Sequence, residues 1–237
     1  MEPIMAERGN NNLPINYADQ LKGEAADIAS RISSGPRNKI TTTGGSAFVL
    51  PNGTSGPKLE LVVLDFVAGN NFFERPFNRN NPFPPACFAI GYNPRDMVPS
   101  ENSPDKQASA CTNCAHNQWK SGAGAGKACK NGRRLAVTPL KPMDDGTRPV
   151  WLLEIPPASI KFFDAYVSKI ATAHKMSPIG MLTVITHEPG SAFNAPRFDI
   201  ARPLTNEELG EVFPLREQAA ELITREPDVS KYVPRGK

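Results

Sequence analysis

The chain contains four cysteines, Cys87, Cys111, Cys114 and Cys129, and the central two are spaced as C-T-N-C. Two thiols at that spacing bite one tetrahedral ion, and the outer two complete a set of four thiolate ligands, the donor set preferred by zinc. Such a set would tie residues 87–129 into one knuckle. Four protein ligands leave no open position for a reacting water, so the zinc expected here is structural, and a zinc enzyme is disfavoured. His116 lies close enough in sequence to replace a thiolate, but with four cysteines its expected place is outside the ligand shell, orienting a sulfur. A thioredoxin-like redox pair would open a helix, whereas A-C-T-N-C-A-H-N-Q-W-K-S-G carries no strong helical pattern.

At 237 residues the chain is long enough for one large domain with a real core, and 39% hydrophobic with 22% charged residues is ordinary for a soluble fold. The net charge of +3 is too small to argue for nucleic acid, so any such argument must rest on clustering. No run of about 18 apolar residues is present, and the opening M-E-P-I-M-A-E-R lacks the apolar core of a signal peptide. The expectation is a cytoplasmic protein with reduced thiols and no membrane contact.

Residues 1–17 are Asn-rich and expected to be flexible. Leu21, Ala25, Ile28 and Ile32 place a helix over 18–33, ended by Gly35-Pro36. A Gly/Ser/Thr stretch follows, and then the β-branched, partly alternating run 58–67 predicts a strand, with further strands expected at 87–92, 133–138 and 150–155. Between the first two, the run from Asn70 to Pro85 reads as an irregular loop. Ser159 is positioned to cap a helix with Ile160, Phe163, Val167 and Ile170 on one face. Strands at 181–186 and 197–201 come next, and Thr205 with Glu208 forms a capping box for a last helical region that Pro214 splits before about residue 224. Five or six short strands with peripheral helices give a mainly β, α+β fold, an OB-like Greek-key barrel over 18–205. The zinc-binding insertion falls at about 85–137, and 206–237 forms a helical region with a short tail.

The charge is local. From Lys106 to Met143 there is no acidic residue but seven basic ones, among them Lys120, Lys127, Lys130, Arg133 and Arg134. Phe72, Phe73, Phe77 and Phe83 precede the cysteines, and Tyr92 and Trp119 stand among them, while Phe66 and Phe88 read as strand core. A positive groove for phosphates beside aromatic faces for bases is how a single strand is held without sequence preference. S-G-A-G-A-G-K-A fails as a Walker loop, because Ser121 stands where the first glycine belongs and Ala128 follows Lys127. A zinc deaminase fails too, since Ala110 precedes Cys111 and all three histidines lie downstream.

The order P-x-C, then C-x-x-C, then Trp and Ser-Gly, then G-K-A-C-K-x-x-R-R-L-A-V resembles zinc-containing single-stranded DNA-binding proteins of bacteriophages, the group that includes the N4-like phage replication and transcription cofactors. The resemblance is strongest over 85–137 and spans roughly 40–205. It implies an OB-like core with a zinc subdomain, Cys87, Cys111, Cys114 and Cys129 as ligands, and Lys127, Lys130, Arg133 and Arg134 as phosphate contacts. It also implies single-stranded DNA and phage replication, recombination or transcription enzymes as partners. Many single-strand binders end in an acidic tail, whereas this sequence ends K-Y-V-P-R-G-K, so partner contacts are expected on the acidic stretch 206–226. The alternative is a zinc-bearing interaction module or transcription cofactor that recruits a polymerase.

Overall fold

The strands are held by one long segment that runs through the middle of the sheet. The computed structural model describes residues 38–43, 47–76, 83–144, 146–188, 190 and 195–234; the helix expected over 18–33 and the candidate residue Phe77 lie outside them. The strands are β1 (Lys39–Thr43), β2 (Ala47–Val49), β3 (Ser55–Gly56), β4 (Leu59–Phe72), β5 (Cys87–Gly91), β6 (Lys130–Pro139), β7 (Trp151–Ile155), β8 (Met181–His187) and β9 (Pro196–Pro203). Three α-helices are described, α1 (Ile160–Lys169), α2 (Asn206–Val212) and α3 (Arg216–Thr224).

The sheet order is β3-β2-β1-β7-β6-β4-β8-β9, with β5 added to β4, and the result is a mixed α+β fold built on a strongly curled half-barrel. Among the described residues nine strands form where five or six were expected. The additional ones come from the Thr/Gly-rich stretch, where β1 is recruited by parallel pairing with β7, Lys39 opposite Leu152. β4 also runs five residues past its expected end at residue 67. Its Asn70 and Asn71 are paired on one edge with β6 and on the other with β5, and Phe72 with β5 alone, so bonding on both sides overrides the weak strand preference of asparagine.

Alternation along β4 separates two cores. Leu59, Leu61 and Val63 face one side with Leu135, Val137 and Leu153, and α1 covers them with Phe163 and Tyr166, joined by Ile170 just past its end. Val62, Leu64 and Val67 face the other with Ala136 and Leu152, beneath Val212, Ala219, Leu222 and Ile223 of α2 and α3. A β-bulge between Val63 and Asp65 reverses the alternation, so that Phe66 falls on the α1 side and meets Phe163 edge-on at 4.9 Å. Each fully buried Phe or Ile contributes about 1.5–3 kcal/mol by leaving water.

Residues Asn38–Lys237 make a compact unit of their own, and the C-terminal helices belong to its core. The Thr205–Glu208 capping box is present, and a 3-10 turn at Phe213–Leu215 divides the last helical region at Pro214. Ser159 stands at the start of α1 but its hydroxyl makes no capping bond. The outer edge of β5 is taken by the loop after it: Ser100 N donates to Phe88 O at 2.8 Å, and Ser103 Oγ accepts from Phe88 N and donates to Phe88 O.

Candidate nucleic-acid interface and thiol cluster

Cys87 opens β5, and its neighbours in space arrive from a loop that barely uses regular structure. Cys111 starts a 3-10 turn, Cys114 separates it from a second turn at Ala115–Asn117, and Cys129 immediately precedes β6. The four buried thiols line one cavity of about 20 Å³, together with Asn70, Phe72, Phe88 and Asn117. That volume admits about one atom-sized sphere. Backbone bonds fold the loop inward: Cys111 N donates to Met97 O at 3.0 Å and Cys129 N to His116 O at 2.8 Å. Asn117 Nδ2 donates to Cys111 O at 2.8 Å. Among the described residues, no three His, Cys, Asp or Glu side chains are oriented as a finished ligand set, so the thiols share a cavity without forming a shell.

Burial pushes the Cys129 thiol up to about 12, with the thiols of Cys111, Cys114 and Cys87 adding to the shift and Lys127 opposing it. Burial also raises Cys111, against a hydrogen bond from Asn70. Four thiols that repel one another once ionised are the donor chemistry that a single thiophilic dication takes, and such an ion would reverse that penalty. His116 is outside the cavity; its ring stacks on Phe72 at 4.0 Å.

Beside the cluster, an open groove of about 440 Å³ crosses the ends of β1, β7, β6 and β4, with Lys39, Lys130, Arg133 and Arg134 along it. An amide ladder connects the two. Asn131, which lines the groove, donates from Nδ2 to Asn70 Oδ1 at 2.5 Å and to Asn117 Oδ1 at 3.0 Å, and both of those residues line the thiol cavity. Lys127 Nζ donates to the same Asn117 oxygen at 3.3 Å. Gly132 lies in the groove floor, where a Cβ would come within 2.9 Å of Ile155 O, so only glycine lets β7 approach here.

Arg133 and Arg134 are consecutive in a strand and therefore leave opposite faces. Arg133 is 13% exposed in its side chain, and its Nη2 pairs with Asp164 Oδ2 of α1 at 3.0 Å. Arg134 turns to the other helix layer: Nη1 donates to Arg225 O at 2.6 Å and Nη2 to Leu222 O at 3.4 Å. Its stem passes over Gly69, and burial lowers its pKa. Its two Nη groups thus point to carbonyls at the C-terminal end of α3, while its buried Nε has no partner. Lys130 is exposed, with Nζ donating to Lys127 O at 3.1 Å, and Lys120 is exposed in a left-handed conformation with φ 69°.

The aromatic candidates divide in the same way. Trp119 is 75% exposed, with the Lys127 ammonium 5.4 Å from its ring centre. Phe73 is 39% exposed and, with Arg75, Pro76, Phe83 and Lys130, lines a second recess of about 520 Å³. Lys130 thus belongs to groove and recess alike. Phe72, by contrast, is occupied by His116 and the thiol cavity. Tyr92, just past β5, is 58% exposed but lies outside the groove; partial desolvation of its hydroxyl and the carboxylate of Asp65 raise its pKa. Phe88 is fully buried, as strand core.

No family model, curated protein or solved structure matches the chain. The groove residue that sequence reasoning missed is Lys39. It precedes the short β-branched run Ile40–Thr43, and the pairing of that run with β7 brings it beside Lys130 and Arg133.

Proposed function

We propose that the chain is a non-sequence-specific single-stranded DNA-binding protein whose four thiols hold a structural zinc. It would act in phage replication, recombination or transcription, the setting that its cysteine and basic motif implies. The observation that carries this reading is the continuous run from a basic groove, through Lys130, to an aromatic recess, with Trp119 exposed nearby. Phosphates would follow Lys39, Lys130 and Arg133 while bases stack on Phe73 and Trp119. Cys87, Cys111, Cys114 and Cys129 would hold the zinc, which would fix the loop that presents Trp119 and Lys127 and set the amide ladder against the groove. The same reading takes the curled sheet as an OB-like barrel left open.

A titration of labelled oligo-dT by fluorescence anisotropy across a salt series, with a duplex of equal length beside it, tests the proposal. Preference for the single strand, weakening steeply with salt, is the expected result. Absence of binding by zinc-loaded protein at low salt would refute it. A second reading, an interaction module that recruits a polymerase, is favoured by Phe213, an exposed aromatic with the Arg216 guanidinium 5.3 Å from its ring centre. Aromatic and Arg side chains are the commonest anchors of protein interfaces.

A further inference from the structure

Two of the four cations along the groove are held by carboxylates of the same chain. Lys39 Nζ lies 2.5 Å from Glu154 Oε2, and Arg133 Nη2 lies 3.0 Å from Asp164 Oδ2. Glu154 comes from β7 and lines the groove, while Asp164 comes from α1. The two acids are not part of the core: their side chains are 46% and 50% exposed. Ion pairs that open to water are weak and exchange readily. A phosphodiester oxygen seeks the same donors that each carboxylate oxygen now occupies. Once displaced, the carboxylate stays within a few ångströms and repels the incoming phosphate.

We propose that Glu154 and Asp164 limit affinity, acting as internal anions that occupy Lys39 and Arg133 in the free protein and must yield them to the phosphates of a bound strand. This inference rests on the single-strand reading and adds how that site is regulated. Such a protein holds a strand less tightly than its groove would allow, and releases it more readily to whatever acts on it next.

The test is anisotropy titration of oligo-dT with wild-type protein, Glu154→Gln and Asp164→Asn, which keep side-chain shape and remove the charge. Glu211→Gln serves as control, because Glu211 pairs with Arg148 at 2.5 Å in the same manner but outside the groove. Glu154→Gln and Asp164→Asn are each expected to tighten binding about fivefold near 0.1 M salt, and to steepen the slope of log K against log salt by up to about 0.7, the value of one further single-strand phosphate contact. Glu211→Gln is expected to bind as wild type. Unchanged or weaker binding by both groove variants overturns the inference while leaving the single-strand reading intact. Equal tightening by Glu211→Gln overturns it too, by reducing the effect to net charge. If neither wild type nor Glu154→Gln binds, the single-strand reading falls and the inference falls with it.

Discussion

Replacing Arg134 by Met separates a structural cation from a ligand-binding one. Met keeps most of the stem that lies over Gly69 and removes the guanidinium. The 2.6 Å bond to Arg225 O is a charged hydrogen bond, a class that contributes about 1.5–3 kcal/mol. The bond to Leu222 O, at 3.4 Å, is long enough to add little. A cation at a helix C-terminus adds about 0.3–1 kcal/mol. Against these stands the desolvation of a largely buried guanidinium whose Nε has no partner. The expected net loss is about 2 kcal/mol, which for a chain of this size lowers Tm by about 4–8 °C. Thermal melts followed by circular dichroism measure that loss, and a salt series of oligo-dT titrations measures the other half of the argument. The slope of log K against log salt should stay at the wild-type value, because Arg134 spends its donors on α3. An unchanged Tm together with a slope shallower by about 0.7 would show that the guanidinium meets a phosphate instead, and would refute the assignment.

Trp119→Ala should leave Tm unchanged, since the ring is 75% exposed, and weaken oligo-dT binding by about 1–3 kcal/mol, read by the same anisotropy titration. Cys114→Ser should abolish the about one zinc per chain expected from native mass spectrometry and lower Tm by several degrees, and chelation of the wild type should do the same. Glu208 accepts hydrogen bonds from Arg202 and from Thr205 N, which hold its carboxyl down from 4.5 to about 2. A depressed carboxyl stabilises the fold fully above pH 4.5 and loses that contribution as pH falls towards 2, so the Tm gap between wild type and Glu208→Gln should be constant above pH 5 and narrow below it.

The strands of the sheet core were legible because apolar residues run through β4, β6, β7 and β8, and the capping box because Thr205 and Glu208 act within one turn. The β1–β3 region was overlooked although I-T-T-T is a run of four β-branched residues, because the run is short, is followed by Gly44-Gly45, and has its partner β7 more than a hundred residues away. That pairing also hid Lys39. For Ser159 the sequence offered a cap that the buried hydroxyl does not make. At the candidate site the four thiols line one cavity, which the C-x-x-C spacing suggested only for the central pair; Arg133 and Arg134 both border the groove, but as strand neighbours they send their guanidinium groups to different helices, a division that their grouping in the sequence did not show. Phe72 illustrates a different limit. Its loop-like neighbours Asn70 and Asn71 suggested an exposed ring, but pairing of those asparagines on both edges of β4 carries the ring into contact with His116.

The bulge at Leu64 also has an evolutionary consequence. It sets the phase of everything downstream in β4, so that Asn70 meets Asn131 and the thiols while Asn71 meets the groove. Inserting or deleting one residue between Asp65 and Phe72 would exchange those two roles at once. Relatives of this protein should therefore vary in length at the Gly-rich tip 121–126, and keep the eight positions 65–72 of the strand at constant length.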